Sequence, residues 1–405
     1  MGWEHLVIRP DTKLSPADRR RVEKAIRRAK KEGKIARTAQ QTIPYQEMYQ
    51  DGICHIQNQL YSKSVCCEDI NYKEASDDEK TVLFELYCKL VNYFGPSVGF
   101  ELSVVCYPAD MEEYRKVLAI PAQGDQFDVI RKEYSDMLVR QVSKSRYDRR
   151  ICVTFTIEAE NIKQARSRLS QIESDVINHF RALAVEAAPM KGYERLAVFH
   201  KCLHLEEPSK FRFNWDSLNK TGLSSKDYIA PSSFYFKDGR YFRTGATFGA
   251  VSFLQIRATK IYDNLLDDLL NLEGSQIVSI HAKALDQNAA LKMVKRKLSD
   301  LDKAKIDEQK RAVRSGFDMD ILPPDLVTFG KEAQKLLEDL QNHDEKMFLV
   351  TILVTHAAPT RQKLENLIYS ANGIANTHNC DLIRLDYQQE QGFMSALPIL
   401  SLIHI

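Results

Sequence analysis

His200-Lys-Cys-Leu-His204 puts two imidazoles one helical turn apart, where both could reach one metal ion. A closed zinc site needs four ligands, and no second cluster lies nearby in sequence to complete it. The flanking Tyr193, Leu196, Val198 and Phe199 read instead as an amphipathic helix with Cys202 on its buried side. Cys66-Cys67 is a vicinal thiol pair, but on a strand adjacent side chains point to opposite faces, so it reads as two unrelated thiols. Asp318-Met-Asp320 offers carboxylates to a divalent ion or, as turn residues in a Pro-rich tip, to water.

Nucleotide chemistry leaves no trace. A phosphate-cradling loop needs GxxxxGK[ST], and the only Gly-Lys pairs are Gly33-Lys34 and Gly330-Lys331. Neither has the upstream glycine or the following Ser or Thr. GxGxxG, HExxH and GxSxG are likewise missing from the sequence. No catalytic, cofactor or metal residue is assigned, and the chain as it stands is read as a non-enzyme.

Charge is more informative. Residues 9 to 37 hold twelve Lys and Arg against four acids, a balance of +8 in a chain of net charge +2, so the rest carries −6. Ser15-Pro16 can start a helix and Gly33 can end it, with a thin stripe of Val22, Ile26 and Ala29. This is a basic arm (residues 1–40). Its Arg19, Arg20, Arg21, Arg27, Arg28, Lys30 and Lys31 are the candidate contacts to an acidic partner. Nucleic acid, anionic lipid and acidic protein all fit that description.

Residues 211 to 256 hold eleven of the 37 aromatic residues. Asp238-Gly239 between two aromatic runs predicts a type I′ hairpin, and Gly245 and Gly249 mark bulges or close approaches. With Arg212, Lys220, Lys237, Arg240 and Arg243 the segment could stack single-stranded DNA, or its rings could simply pack on one another. We place it as a β hinge, 211–257, between two larger halves.

Around these features the elements run in a repeated order. A β pair turns at Asn58-Gln59, Ser76 and Glu79 form a capping box, and a helix buries Leu83, Leu86, Leu90 and Phe94. A strand over 100–106, a helical stripe of Phe127, Ile130, Tyr134, Leu138 and Val142, a strand over 151–157 and a helix from Ile162 to Leu183 follow. After the aromatic segment come a strand at 277–285, a charged helix from Gln287 to Arg314, and a second helix burying Leu326, Phe329, Ala333, Leu336 and Leu340. A strand at 347–354, a helix and a strand at 381–387 complete it. Val153-Thr-Phe set beside Val350-Thr-Ile marks a weak internal repeat. The fold class is therefore α/β of the α+β type. A first lobe (41–210) and a second (258–390) are small sheets with helices on one face, and a helical hairpin (287–342) projects from the second.

At 405 residues, 44% hydrophobic and 28% charged, the composition is that of a folded protein of two or three domains. No apolar run approaches the ~20 residues that span a bilayer, and Met1-Gly-Trp-Glu-His is not a signal peptide's start. Eight cysteines without a CxxC fit a reducing cytosol.

Several strings together resemble one family: Arg37-Thr-Ala-Gln-Gln-Thr-Ile-Pro-Tyr45, Gln50-Asp-Gly-Ile53, Lys191-Gly-Tyr-Glu-Arg-Leu196, Ile229-Ala-Pro-Ser-Ser-Phe234, Gly249-Ala-Val-Ser-Phe-Leu-Gln255, Gly316-Phe-Asp-Met-Asp-Ile-Leu-Pro323, and Asp386-Tyr-Gln-Gln-Glu-Gln-Gly392 running on to Leu397-Pro398. They resemble the N-terminal half of the VirB-class ATPase of type IV secretion, in the branch carried by conjugative elements of Gram-positive bacteria. The resemblance spans about Lys13 to Pro398. It implies a module that docks on channel proteins at the cytoplasmic membrane face. In the full-length protein a RecA-like motor would follow, bind ATP and Mg and form hexamers. On that reading residues 391–405 begin a linker to a motor absent from this chain, and Leu400 to Ile405, like Met1 to Asp11, depart from the family. The expected location is the cytoplasm, peripherally on the membrane. The rival expectation is a free-standing single-stranded-DNA-binding protein.

Overall fold

The structure is a computed structural model and describes residues 38–70, 72, 75–142, 147–207, 210–258, 264–315, 323–342 and 346–400. The basic arm with its seven candidate contacts lies outside the described residues, as do Asp318 and Asp320.

A short α1 (Ala39–Thr42) leads into the first of two similar units. There β1 (Glu47–Met48) pairs with β2 (Cys54–Gln57), which turns into β3 (Leu60–Cys67). Asn58 takes the left-handed conformation that Asn tolerates (φ 49°), so the turn falls where the sequence predicts it. Then come α2 (Asp77–Tyr93), β4 (Val98–Pro108), the helical pair α3 (Met111–Leu118) and α4 (Asp128–Val142), β5 (Tyr147–Glu158), α5 (Ile162–Ala182) and β6 (Ala187–Pro189). The capping box on α2 is present: the Ser76 hydroxyl accepts from the Glu79 amide, and the Glu79 carboxylate accepts from the Ser76 amide.

Three helices intervene, α6 (Gly192–Leu203), α7 (Trp215–Thr221) and α8 (Ser225–Ile229). The second unit repeats the plan. It runs β7 (Phe234–Tyr235), β8 (Phe242–Thr244), β9 (Thr247–Ile256), α9 (Asn264–Leu270), β10 (Ser275–Ala284), the pair α10 (Gln287–Arg314) and α11 (Pro324–Asn342), β11 (Phe348–Ala358), α12 (Arg361–Thr377) and β12 (Cys380–Arg384). A last helix, α13 (Gln389–Ser395), follows.

Strand order repeats with element order. The first unit is β6-β3-β5-β4 and the second β12-β9-β11-β10, with every neighbour antiparallel. Within each unit the core strands thus lie 4-1-3-2, the arrangement of a split β-α-β fold with a helical pair inserted at its central hairpin. The units join edge to edge through β4 and β10, from Phe100↔Ala282 to Cys106↔Gln276. One continuous twelve-stranded sheet results.

The sheet is covered on both faces. Strand alternation sends Val153, Phe155 and Ile157 to one side, under the α5 stripe of Ala165, Leu169, Ile172, Val176 and Phe180. In the second unit Val278 and Val354 meet Leu265 and Leu269 of α9 and Ala371 and Ala375 of α12 on that same side. The opposite face carries Val105, Cys152, Ile277 and Leu353 against α6, α8, α13 and residues 396–399, so one core spans both units.

Several expectations change, the first being that the two units share one sheet with helices on both faces instead of forming two small sheets with helices on one face. The aromatic segment is not the join: β9 is the second unit's own core strand, and the halves meet through β4 and β10. Asp238-Gly239 does not form a two-residue hairpin, because β7 and β8 pair across the longer loop 236–241. The tight turn is Gly245-Ala246 between Thr244 and Thr247, with Gly245 at φ 55°. Along α11 only Leu340 of the predicted stripe is buried, since a projecting pair of helices has no third layer to cover Phe329 and Leu336. Residues 391–400 are not an exposed linker; Phe393, Met394, Ala396, Leu397 and Ile399 are buried in the sheet-spanning core, and Leu400 is buried as well.

Candidate functional site: a buried polar seam and the clefts beside Tyr107

Beneath α6 and α13 the middle of the sheet is polar. Ser62, Ser64, Glu101, Ser103, Thr154 and Ser279 lie on that face and are all buried. Buried polar groups need partners, and the main chain after α13 supplies them for Thr154, Ser279 and Glu101. The Thr154 hydroxyl donates to the Pro398 carbonyl (3.3 Å), and the Ser279 hydroxyl donates to the Ala396 carbonyl (2.9 Å). The Leu400 amide donates to the Glu101 carboxyl (3.0 Å), which also accepts from the Ser103 hydroxyl (2.6 Å). Complete burial pushes the Glu101 carboxyl up to about 8, against the pull of those two donors.

Arg195 of α6 closes the seam. Its guanidinium is fully buried and donates to the Gly52 and Ser62 carbonyls (2.8 and 3.0 Å), the Ser62 hydroxyl (3.1 Å) and the Pro398 carbonyl (3.2 Å). Two glycines make room for this approach. A side chain on Gly52, already at φ 85°, would meet the Met190 carbonyl at 2.0 Å, and one on Gly192 would meet the Tyr49 carbonyl at 2.2 Å. Sequence strings far apart, around Gly52, Gly192 and Pro398, are thereby brought together. In the second unit Gln389 of α13 binds both backbone groups of Val251 (2.8 and 3.1 Å) and the Leu385 carbonyl (2.7 Å). Nothing in the sequence assigns Arg195 this role. The available signal is its place at i with Phe199 and Cys202 at i+4 and i+7, which sets an arginine on the buried stripe.

Two clefts open where the ends of β4 and β5 approach α6. The larger, about 860 Å³, lies under α3 and is lined by Asp110, Tyr114, Asp148, Arg149 and Glu273 among others. The smaller, about 360 Å³, is lined by Cys66, Tyr193 and Glu194. Tyr107, Arg150 and Lys201 belong to both, and the Lys201 ammonium sits 3.6 Å from the centre of the Tyr107 ring. Arg149 is committed to the Leu270 carbonyl and Asn271, and Tyr114 donates to Asp148 at 2.6 Å. Arg150 points to the Cys66 sulfur at 3.6 Å.

His200 and His204 do share one side of α6, and their rings stack at 4.0 Å. His204 Nδ1 is engaged with the His200 carbonyl (2.9 Å), and burial lowers both imidazoles, His200 to about 4. Cys66 and Cys67 face opposite sides of the sheet, Cys66 toward α6 and Cys67 into the α5 core. The rings of the aromatic segment pack together: Phe234 stacks on Phe236, and Phe242, fully buried, stacks on Phe393 of α13 at 4.3 Å.

The expected stripe forms along α4, with Phe127 just before it; Leu138 is half-buried, and the stripe residues N-terminal to it are not covered by the described residues. Phe127, Val129, Ile130, Tyr134 and Met137 are all exposed, as is Val117 of α3, three-quarters accessible. Among the described residues no helix is long and apolar enough to cross a membrane. No protein-family model matches the chain, and no curated protein matches it.

Proposed function

We propose that this chain is a docking and assembly module of a conjugative DNA-transfer ATPase of the type IV secretion class. In this reading it contacts channel proteins at the cytoplasmic membrane face, and a RecA-like motor supplies ATP hydrolysis, Mg binding and hexamer formation. The observation that carries the docking role is the uncovered stripe of Ile130 and Tyr134 on α4, with Phe127 just before it. An exposed apolar stripe is the kind of surface that marks a protein-binding face. The joined units support it as a common platform, since α4 and the projecting α10–α11 pair both rise from central hairpins of one sheet. The basic arm would add attraction to an acidic surface, whether lipid, nucleic acid or protein.

A photo-crosslinker placed at Ile130 in cells carrying the element should capture an inner-membrane channel subunit, while one at exposed Glu160 should not. Equal capture from both positions, or none from Ile130, overturns the docking role. Reading the coding sequence onward tests the motor: a P-loop within about one domain length, ~150 residues, supports it, and a stop codon there overturns it.

A further inference from the structure

We propose that Cys66 and Cys152 are a peroxide-oxidisable dithiol, in which Cys66 is attacked from the cleft and Cys152 resolves the product as a cross-strand disulfide. The geometry comes from the sheet. Cys66 of β3 and Cys152 of β5 are direct partners in an antiparallel ladder, so both side chains leave the same face. Directly opposed antiparallel residues have Cα atoms about 4.5–5.5 Å apart, inside the range a disulfide spans. Cys66 is half-buried and lines the 360 Å³ cleft, while Cys152 is fully buried behind it. The order of events follows from that asymmetry: solvent-borne oxidant reaches Cys66 first, and Cys152 is held within its reach.

The surroundings favour the reactive form at Cys66. The Cys152 thiol donates to the Cys66 sulfur, and the Arg150 guanidinium lies at 3.6 Å, so the Cys66 thiol is held down at about 6 despite partial burial and the nearby Glu194. Cys152, buried and facing a thiolate, is driven up and keeps its proton. Cys67, on the other face, is pushed up to about 12 by burial and is no competitor.

The chemistry balances with a hydroperoxide as oxidant. The Cys66 thiolate attacks one peroxide oxygen, the O–O bond breaks and hydroxide leaves, giving the sulfenic acid. The Cys152 sulfur then attacks the Cys66 sulfur, the S–O bond breaks and the S–S bond forms. The departing hydroxyl takes the Cys152 proton and leaves as water. A thiol reductant reverses the bond by exchange.

The test uses hydrogen peroxide on the purified chain, followed by peptide mapping without reduction. A Cys66–Cys152 cross-link in the wild type is expected. In Cys152→Ser, a sulfenic acid trapped by dimedone should appear at Cys66. In Cys66→Ser, Cys152 should stay unmodified, with circular dichroism confirming that each variant folds. Alkylation of Cys66 in the unoxidised wild type should reach its midpoint below that of an ordinary thiol, and Arg150→Gln should move that midpoint up. The wild-type map decides even if a variant fails to fold. A Cys66 that stays reduced, oxidises without linking to Cys152, or links instead to Cys67 or Cys202 overturns the proposal.

Discussion

The Arg195 guanidinium and the Pro398 carbonyl, 203 residues apart, meet at 3.2 Å across the middle of the sheet. Arg195 also holds Gly52 and Ser62, so one side chain ties the first hairpin, α6 and the segment after α13. Replacing it by Met leaves those acceptors buried and unpaired, at a cost of roughly 3 kcal/mol. Urea unfolding should show that loss for Arg195→Met, with faster amide exchange at residues 396–400. A variant as stable as the wild type, with that segment still protected, would remove the seam from the account of stability.

Glu101 sets a pH dependence with a definite sign. Its carboxyl titrates near 8 when folded, against an ordinary value of 4.5. Between those values the native state holds a proton that the unfolded chain has released. Stability therefore falls as pH rises through that window, by about 1.4 kcal/mol per unit at most, and this contribution is flat below 4.5 and above 8. Glu101→Gln should flatten the slope and raise the urea midpoint at pH 8 relative to wild type. Parallel curves for the two proteins would refute the assignment.

Gly249 of β9 lies against the Phe242 ring, where an added Cβ would come within 2.2 Å. Phe242 cannot retreat, because it is fully buried and stacked on Phe393. Gly249→Val should therefore destabilise by roughly 1–3 kcal/mol through overpacking, even though Val suits a strand better than Gly. A thermal melt that rises on this substitution would show that the ring has room to move.

The α4 stripe should behave in the opposite way. Phe127 and Ile130 are exposed among the described residues, so the double change to Ser should alter unfolding free energy by no more than about 0.5 kcal/mol. The same variant should lose the channel cross-link that a photo-crosslinker at neighbouring, exposed Tyr134 forms in the wild type. A large loss of stability would mean that these side chains are covered after all.

Local signals were legible to within a residue or two. The Ser76 capping box, the Asn58 turn, the α5 stripe from Ala165 to Phe180 and the limits of α10 all depend on residues within a few positions of one another. The internal repeat was also visible, faintly, in Val153-Thr-Phe beside Val350-Thr-Ile. The hairpin at Asp238-Gly239 failed because Gly239 is used for close approach: Tyr387 packs on it and donates its amide to the Gly239 carbonyl (2.6 Å).

What the sequence by itself determined, then, was which stretches are helix or strand and which faces are apolar, since propensity, capping and periodicity are short-range properties. Only the tertiary structure decided that β4 meets β10, that Cys66 meets Cys152, and that Arg195 and Glu101 grip the main chain of residues 398–400. Those pairings join positions from 86 to 299 residues apart. Strand order and register fix them, and no local pattern encodes which strand will lie beside which.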